Sequence, residues 1–245
     1  MPHTALIIVD VQNDFLPPSG SLAVPGGRQV IPVIQKLLDR SWKWDTVIAS
    51  QDYHPSGHIS FSSTHSVEPF TERQVEDARG TTYTQAMWPN HCVVGTEGVQ
   101  IDREVRGSLD AWKGEKRIVR KGWHRGVEQY SAFEGYLVDP SSSDADEKLR
   151  STPEKVPAKD TELAKYLRQQ GIAKVVVTGL ATDYCVGATA HAALEAGFET
   201  VVVESAISGI SEDGVKRTMG ELRAKGAKVV GGDEWESELK GLVSA

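Results

Sequence analysis

The chain has 245 residues, 39% of them hydrophobic and 25% charged, the proportions of an ordinary globular protein that can bury a sizeable core. Its formal net charge is −7, with no cluster of Lys and Arg. A nucleic-acid or anionic-membrane partner therefore has no electrostatic support, and a small-molecule partner is expected. The two cysteines, Cys92 and Cys185, form no disulfide framework. The apolar stretch Ala5 to Val9 is ended by Asp10, too short for a signal segment or a membrane span, so cytoplasmic residence is the expectation.

Six apolar runs follow one another along the chain: TALIIVD, DTVIASQD, KRIVRKG, KVVVTG, ETVVVES and AKVVGGD. Most are continuously apolar, rich in Val and Ile, as strands covered on both faces are. Helical patterns lie between them. Gly171, Gly197 and Gly226 each stand a few residues before a strand, where glycine permits the left-handed turn that ends a helix. Ser211, and either Asp160 or Thr161, are placed to cap helix starts. This alternation predicts an α/β fold with a six-stranded parallel sheet between two helical layers. One domain spans residues 1–245 on this reading, with surface insertions near 60–86 and 139–159. The first lies within a mostly polar, loop-like stretch over 55–98, and the second is rich in Ser, Pro and charge.

In an open parallel sheet, ligands bind beyond the carboxyl ends of the strands. Asp10, Asp52 with His54, Lys121 and, after a short turn, Cys185 all fall there. A thiol in the first turn of a helix and near an ammonium has a lowered pKa and suits a nucleophile, although a buried structural Cys is the commoner fate of a single thiol. A neighbouring carboxylate, Asp10, can take and return its proton. Asp52, His54 and His91 offer one carboxylate and two imidazoles, a donor set for one divalent ion, zinc first, with iron or manganese as alternatives. His58 is left open as a further ligand, His65 reads as an exposed loop histidine, and Cys92 as a small packed side chain. Phe15, Trp88 and Tyr184 adjoin these polar positions and can stack on a flat ring.

The segments IIVDVQNDF, QDYH, WPNHCVVGTEG, VRKG and GLATDYCV resemble, in order and approximate spacing, the nicotinamidases within the isochorismatase-like cysteine hydrolases. The resemblance implies the three-layer αβα fold and amide hydrolysis through a thioester, with nicotinamide as substrate and pyrazinamide as a second. It assigns the base and acid to Asp10, the cation to Lys121, the nucleophile to Cys185 and the metal to Asp52, His54 and His91. It also implies an oxyanion hole from the backbone N–H groups of Ala181 and Cys185, and a cis peptide between Leu180 and Ala181. Relatives acting on isochorismate, a ureide or a carbamoyl compound generally lack QDYH with WPNH, which sets them apart. The other alternative is a homologue that binds metal or a small molecule without turnover. Self-association into a homo-oligomer stays open.

Overall fold

Nine strands and seven helices organise the computed structural model, which describes residues 3–140 and 152–244. The strands are β1 (His3–Val9), β2 (Thr46–Asp52), β3 (Thr71–Glu76), β4 (Thr82–Met87), β5 (Glu115–Lys121), β6 (Tyr136–Val138), β7 (Ile172–Leu180), β8 (Glu199–Ser208) and β9 (Lys228–Val230). The helices are α1 (Val30–Leu37), α2 (Ser62–His65), α3 (Arg103–Ala111), α4 (Glu162–Gln169), α5 (Gly187–Glu195), α6 (Glu212–Ala224) and α7 (Trp235–Ser244).

The main sheet has the order β6-β5-β2-β1-β7-β8-β9. All six expected strands are present and pair in parallel. The strand count differs by one, because β6 adds to the edge antiparallel to β5. Three residues are too few to show a period, which is why YLV gives no strand signal. Strand order reverses between β1 and β7, the place where a doubly wound sheet opens a crevice at its carboxyl edge.

Side chains alternate strictly along the central strands. Leu6 and Ile8 enter one apolar layer with Val30, Ile34 and Leu37 of α1, Val105 and Leu109 of α3, and Leu239 of α7. Ala5, Ile7 and Val9 enter the other, with Leu163 and Leu167 of α4, Ala190 and Ala193 of α5, and Met219 and Leu222 of α6. Period-two burial on both faces is what made these runs continuously apolar. Gly171, Gly197 and Gly226 take φ of 71°, 89° and 95° at the three helix-to-strand turns. Thr161, not Asp160, caps α4 by accepting from Ala164 N at 3.3 Å, and Ser211 caps α6 by accepting from Gly214 N at 3.0 Å.

The polar stretch is more ordered than its composition implied. Strands β3 and β4 form an antiparallel hairpin. Its turn is fixed by the Asp77 carboxylate, which accepts from Arg79 N at 2.9 Å and Thr81 N at 3.0 Å, and by Gly80 at φ 76°. Val75 and Met87 are buried with Ile59 beneath otherwise polar strands, so a thin apolar lining suffices where one face meets water. Of the second insertion, residues 141–151 lie outside the described residues. Among the described residues, no helix is long and apolar enough to cross a membrane.

Candidate active site and metal centre

Four strand ends converge at the crevice. Asp10 is the residue after β1 and is fully buried with φ 48°, an uncommon conformation for a non-glycine residue and one that recurs at functional sites. Asp52 closes β2 and Lys121 closes β5, paired side by side in the parallel register. Cys185 lies in a wide helical turn, Thr182–Val186, in which Val186 N donates five residues back to Ala181 O at 3.1 Å. That turn runs directly into α5. The Leu180–Ala181 peptide before it is cis.

Lys121 binds these ends together. Its ammonium is fully buried, 2.8 Å from Asp10 Oδ2 and 3.3 Å from Cys185 Sγ, and it donates to Asp52 Oδ1. Ser50 Oγ donates to Asp10 Oδ1 at 2.7 Å. Burial alone would favour the neutral amine, but Asp10 and Asp52 outweigh it and hold the ammonium pKa well above its ordinary value. Burial pushes the Asp10 carboxyl up, against the pull of Lys121, leaving a carboxylate with increased affinity for a proton.

The thiol departs from the expectation of a lowered pKa. Burial drives Cys185 well above its ordinary value, Lys121 opposes this, and Asp10 and Asp52 add to it. A helix terminus and one cation do not compensate for a thiol only 7% exposed near two carboxylates. The resting group is the neutral thiol, with the Lys121 ammonium in contact.

At the other end, Asp52, His54 and His91 bring one ligand atom each within 4.8 Å of one another. His54 Nδ1 donates to Gly122 O at 2.9 Å and His91 Nδ1 to Pro89 O at 2.8 Å. Carbonyl oxygens only accept, so these contacts place a proton on each Nδ1 and turn each Nε2 toward Asp52. Burial lowers the His54 pKa, but Asp52 outweighs it and raises it, so an ion bound there would take the place of a proton. The two Nε2 atoms stand 3.6 Å and 3.8 Å from Asp52 Oδ2, and His54 Nε2 is buried with no hydrogen-bond partner. Two donors about 2.1 Å from one ion are at most about 4.2 Å apart, so the set fits a single divalent ion. Burial, with His54 nearby, lowers the His91 pKa to about 4, which keeps its ring neutral. Gly122 has φ 65°, and a Cβ there would meet the His54 ring at 2.3 Å. Only glycine lets the carbonyl and ring approach this closely.

Between the two ends lies a narrow cleft lined by Phe15, Trp88 and Tyr184 as expected, together with Ala181 and Cys185. Phe15 stands 5.5 Å from His91 between ring centroids, and Trp88 meets Tyr184 edge-on at 4.9 Å.

The sequence matches the isochorismatase domain over residues 4–133 and 146–234. The chain belongs to the isochorismatase family. Among curated members, the nicotinamidase of Acinetobacter baylyi is 38% identical over 92% of this chain and 91% of its own. The yeast nicotinamidase bound to the inhibitor nicotinaldehyde superposes with a TM-score of 0.78 at 32% identity, over 94% of this chain and all of that one. The pyrazinamidase of Pyrococcus horikoshii in complex with zinc superposes with a TM-score of 0.64 at 30% identity, over 94% and 100% of the two chains.

Within this isochorismatase-family site, three expectations resolve differently from one another. His58 is buried, with Nδ1 on Ser60 Oγ at 2.8 Å and Nε2 on Val127 O at 3.0 Å. Both nitrogens are engaged, so it stacks on His54 at 4.0 Å as support and offers no free lone pair to an ion shared with Asp52 and His91. His65 is half-buried at the end of α2 and donates to Ile59 O at 2.7 Å, so it is not the exposed loop residue expected. Cys92 is fully buried and packed, as expected. Sequence reasoning missed Gln12, which clamps Asp52 by accepting from its N–H and donating to its carbonyl, both at 2.8 Å. It also missed Ser50, Tyr130 and the buried Glu128. Nothing local in the sequence marks these, because each is defined by a neighbour far along the chain.

Proposed function

We propose that this protein hydrolyses nicotinamide to nicotinate and ammonia through a Cys185 thioester, as a cytoplasmic salvage step for NAD, and that it also accepts pyrazinamide. The observation that carries this reading is the buried Asp10, Lys121 and Cys185 cluster lying under an aromatic cleft whose far end is the Asp52, His54 and His91 donor set. Asp10 accepts the Cys185 proton, and the sulfur attacks the carboxamide carbon. The oxyanion is held by the backbone N–H groups of Ala181 and Cys185. The C–N bond breaks as Asp10 returns the proton to the leaving nitrogen, releasing ammonia. Asp10 then takes a proton from water as its oxygen attacks the thioester, and the C–S bond breaks with return of that proton to sulfur. Water is consumed once, and the enzyme is regenerated.

Lys121 keeps the sulfur electron pair in contact with a positive charge while the proton is away. Phe15, Trp88 and Tyr184 hold the ring. Asp52, His54 and His91 would bind one divalent ion, which we take to be zinc, and when bound it supplies a Lewis-acid contact that holds the ring nitrogen. This contribution is positional.

Ammonia release from nicotinamide and pyrazinamide, with the ion content measured on the same sample, tests the reading. Turnover of both is expected, with about one ion per chain. Inactivity on both amides in ion-loaded protein would overturn it. Turnover of a ureide or carbamoyl compound in their place would reassign the substrate within the family.

A further inference from the structure

Tyr130 carries hydrogen-bonding capacity that the proposed reaction leaves unused. It lies on the cleft wall, 5.8 Å from Tyr184 between ring centroids. Its hydroxyl oxygen accepts from Gln85 Nε2 at 2.9 Å and from Trp88 Nε1 at 3.4 Å. The Gln85 amide cannot be turned over to accept instead, because the same Nε2 donates to Ala86 O at 2.7 Å. A carbonyl there accepts only, which fixes the amide nitrogen in place. Both lone pairs of the Tyr130 oxygen are therefore occupied. Its own hydrogen meets no acceptor among the described residues, while burial holds its pKa well above the ordinary value and so keeps that hydrogen in place.

A cleft donor without a protein partner must be satisfied by water or by the ligand. Nicotinamide, on the reading above, spends its ring nitrogen on the ion and its carboxamide oxygen on backbone amides. Its ring C–H edges and amide N–H groups remain for the walls, and neither offers a further acceptor. We propose that Tyr130 is a specificity residue whose hydroxyl donates to a second ring acceptor, so that the cleft favours a diazine carboxamide over nicotinamide. This rests on the proposed nicotinamide site. A site that presents a hydrogen-bond donor discriminates against the analogue lacking the acceptor, because the donor is then left unpaired.

Three diazine carboxamides each keep one nitrogen meta to the carboxamide for the ion and move the second. It is ortho in pyrazinamide, meta in pyrimidine-5-carboxamide and para in pyridazine-4-carboxamide. Their Kd values, with that of nicotinamide, are measured on zinc-loaded Cys185→Ala protein with and without Tyr130→Phe. For the best-bound diazine, the affinity ratio to nicotinamide should fall about tenfold on removal of the hydroxyl. A purely structural role for Tyr130 would weaken all four amides alike and leave the ratios unchanged, which overturns the proposal. If Tyr130→Phe fails to fold, Gln85→Leu with Tyr130→Phe removes the orphaned amide as well, and the same ratios are read. Should the unmutated chain release no ammonia from any of the four, the functional reading falls while the Kd ratios still decide Tyr130. If none of the four binds, both fall.

Discussion

At the thiol end of the cleft every charged group has a protein partner, with Lys121 reaching Asp10, Asp52 and Cys185 at once. At the histidine end, His54 Nε2 is buried without a hydrogen-bond partner, 3.6 Å from Asp52 Oδ2, while its ring is held by a backbone carbonyl behind it and by stacking on His58. The first end is electrostatically complete as the chain folds, whereas the second is complete only with a ligand. Asp52 belongs to both, with one oxygen on Lys121 and the other toward the histidines. Chemistry and ion binding should therefore be separable by mutations that stay away from Asp52.

Cys185→Ala is the largest break at the thiol end. Activity should fall by on the order of 10⁴-fold or more, as when a covalent nucleophile is removed. Ion content should not change, since the thiol is not in the histidine set. Ammonia release and elemental analysis on one preparation check both halves. A mutant that loses its ion together with its activity would show that the two ends are not independent.

The converse break is His54→Ala with His91→Ala. It should abolish stoichiometric ion binding and weaken nicotinamide binding by on the order of 10²-fold, because two of three ligands are gone. Alkylation of Cys185 by iodoacetamide should keep its rate, because the imidazoles do not touch the sulfur. Gly122→Ala acts at the same end with less force. The added Cβ overlaps the His54 ring, and the backbone sits at positive φ, so ion affinity should drop about 10- to 100-fold, the range for disturbed outer partners of a ligand. Retained affinity in Gly122→Ala would mean that the ring has other places to sit.

The two ends were also unequally legible in the sequence. Asp10, Lys121 and Cys185 follow apolar runs whose strand character was plain, and the rule that ligands bind at carboxyl edges placed them together. Asp52 was legible for the same reason. His91 stands four residues after β4, on a hairpin strand that gave no signal, so no strand-end rule placed it and only the chemistry of the donor set joined it to Asp52 and His54. The hairpin was missed because Thr, Gln and Glu dominate strands that bury little more than Val75 and Met87 on one face. The roles of His58 and Tyr130 are set by what their polar atoms meet, Val127 O in one case and Gln85 Nε2 in the other. Contacts of that kind leave no periodic trace. The thiol pKa was misread because helix position is written in the sequence and depth of burial is not.

Ser50→Ala is the gentlest test and falls wholly on the thiol end. The Ser50 hydroxyl donates to Asp10 Oδ1, a contact that favours the carboxylate and lowers its pKa against the larger upward push of burial. Without it, the Asp10 pKa rises further. Asp10 must be unprotonated to take the Cys185 proton, so the acidic limb of the kcat/KM profile should move to higher pH. Activity above that limb should fall only a few-fold, because Lys121 still orients the carboxylate. Loss of one buried hydrogen bond should cost about 1 kcal/mol of stability. Ion affinity should be unaltered. The pH profile and the zinc content, measured together, separate a change confined to the thiol end from one that spreads through Asp52: an unmoved acidic limb would remove Asp10 from the role of base, and a changed ion affinity would show that the two ends share more than one carboxylate.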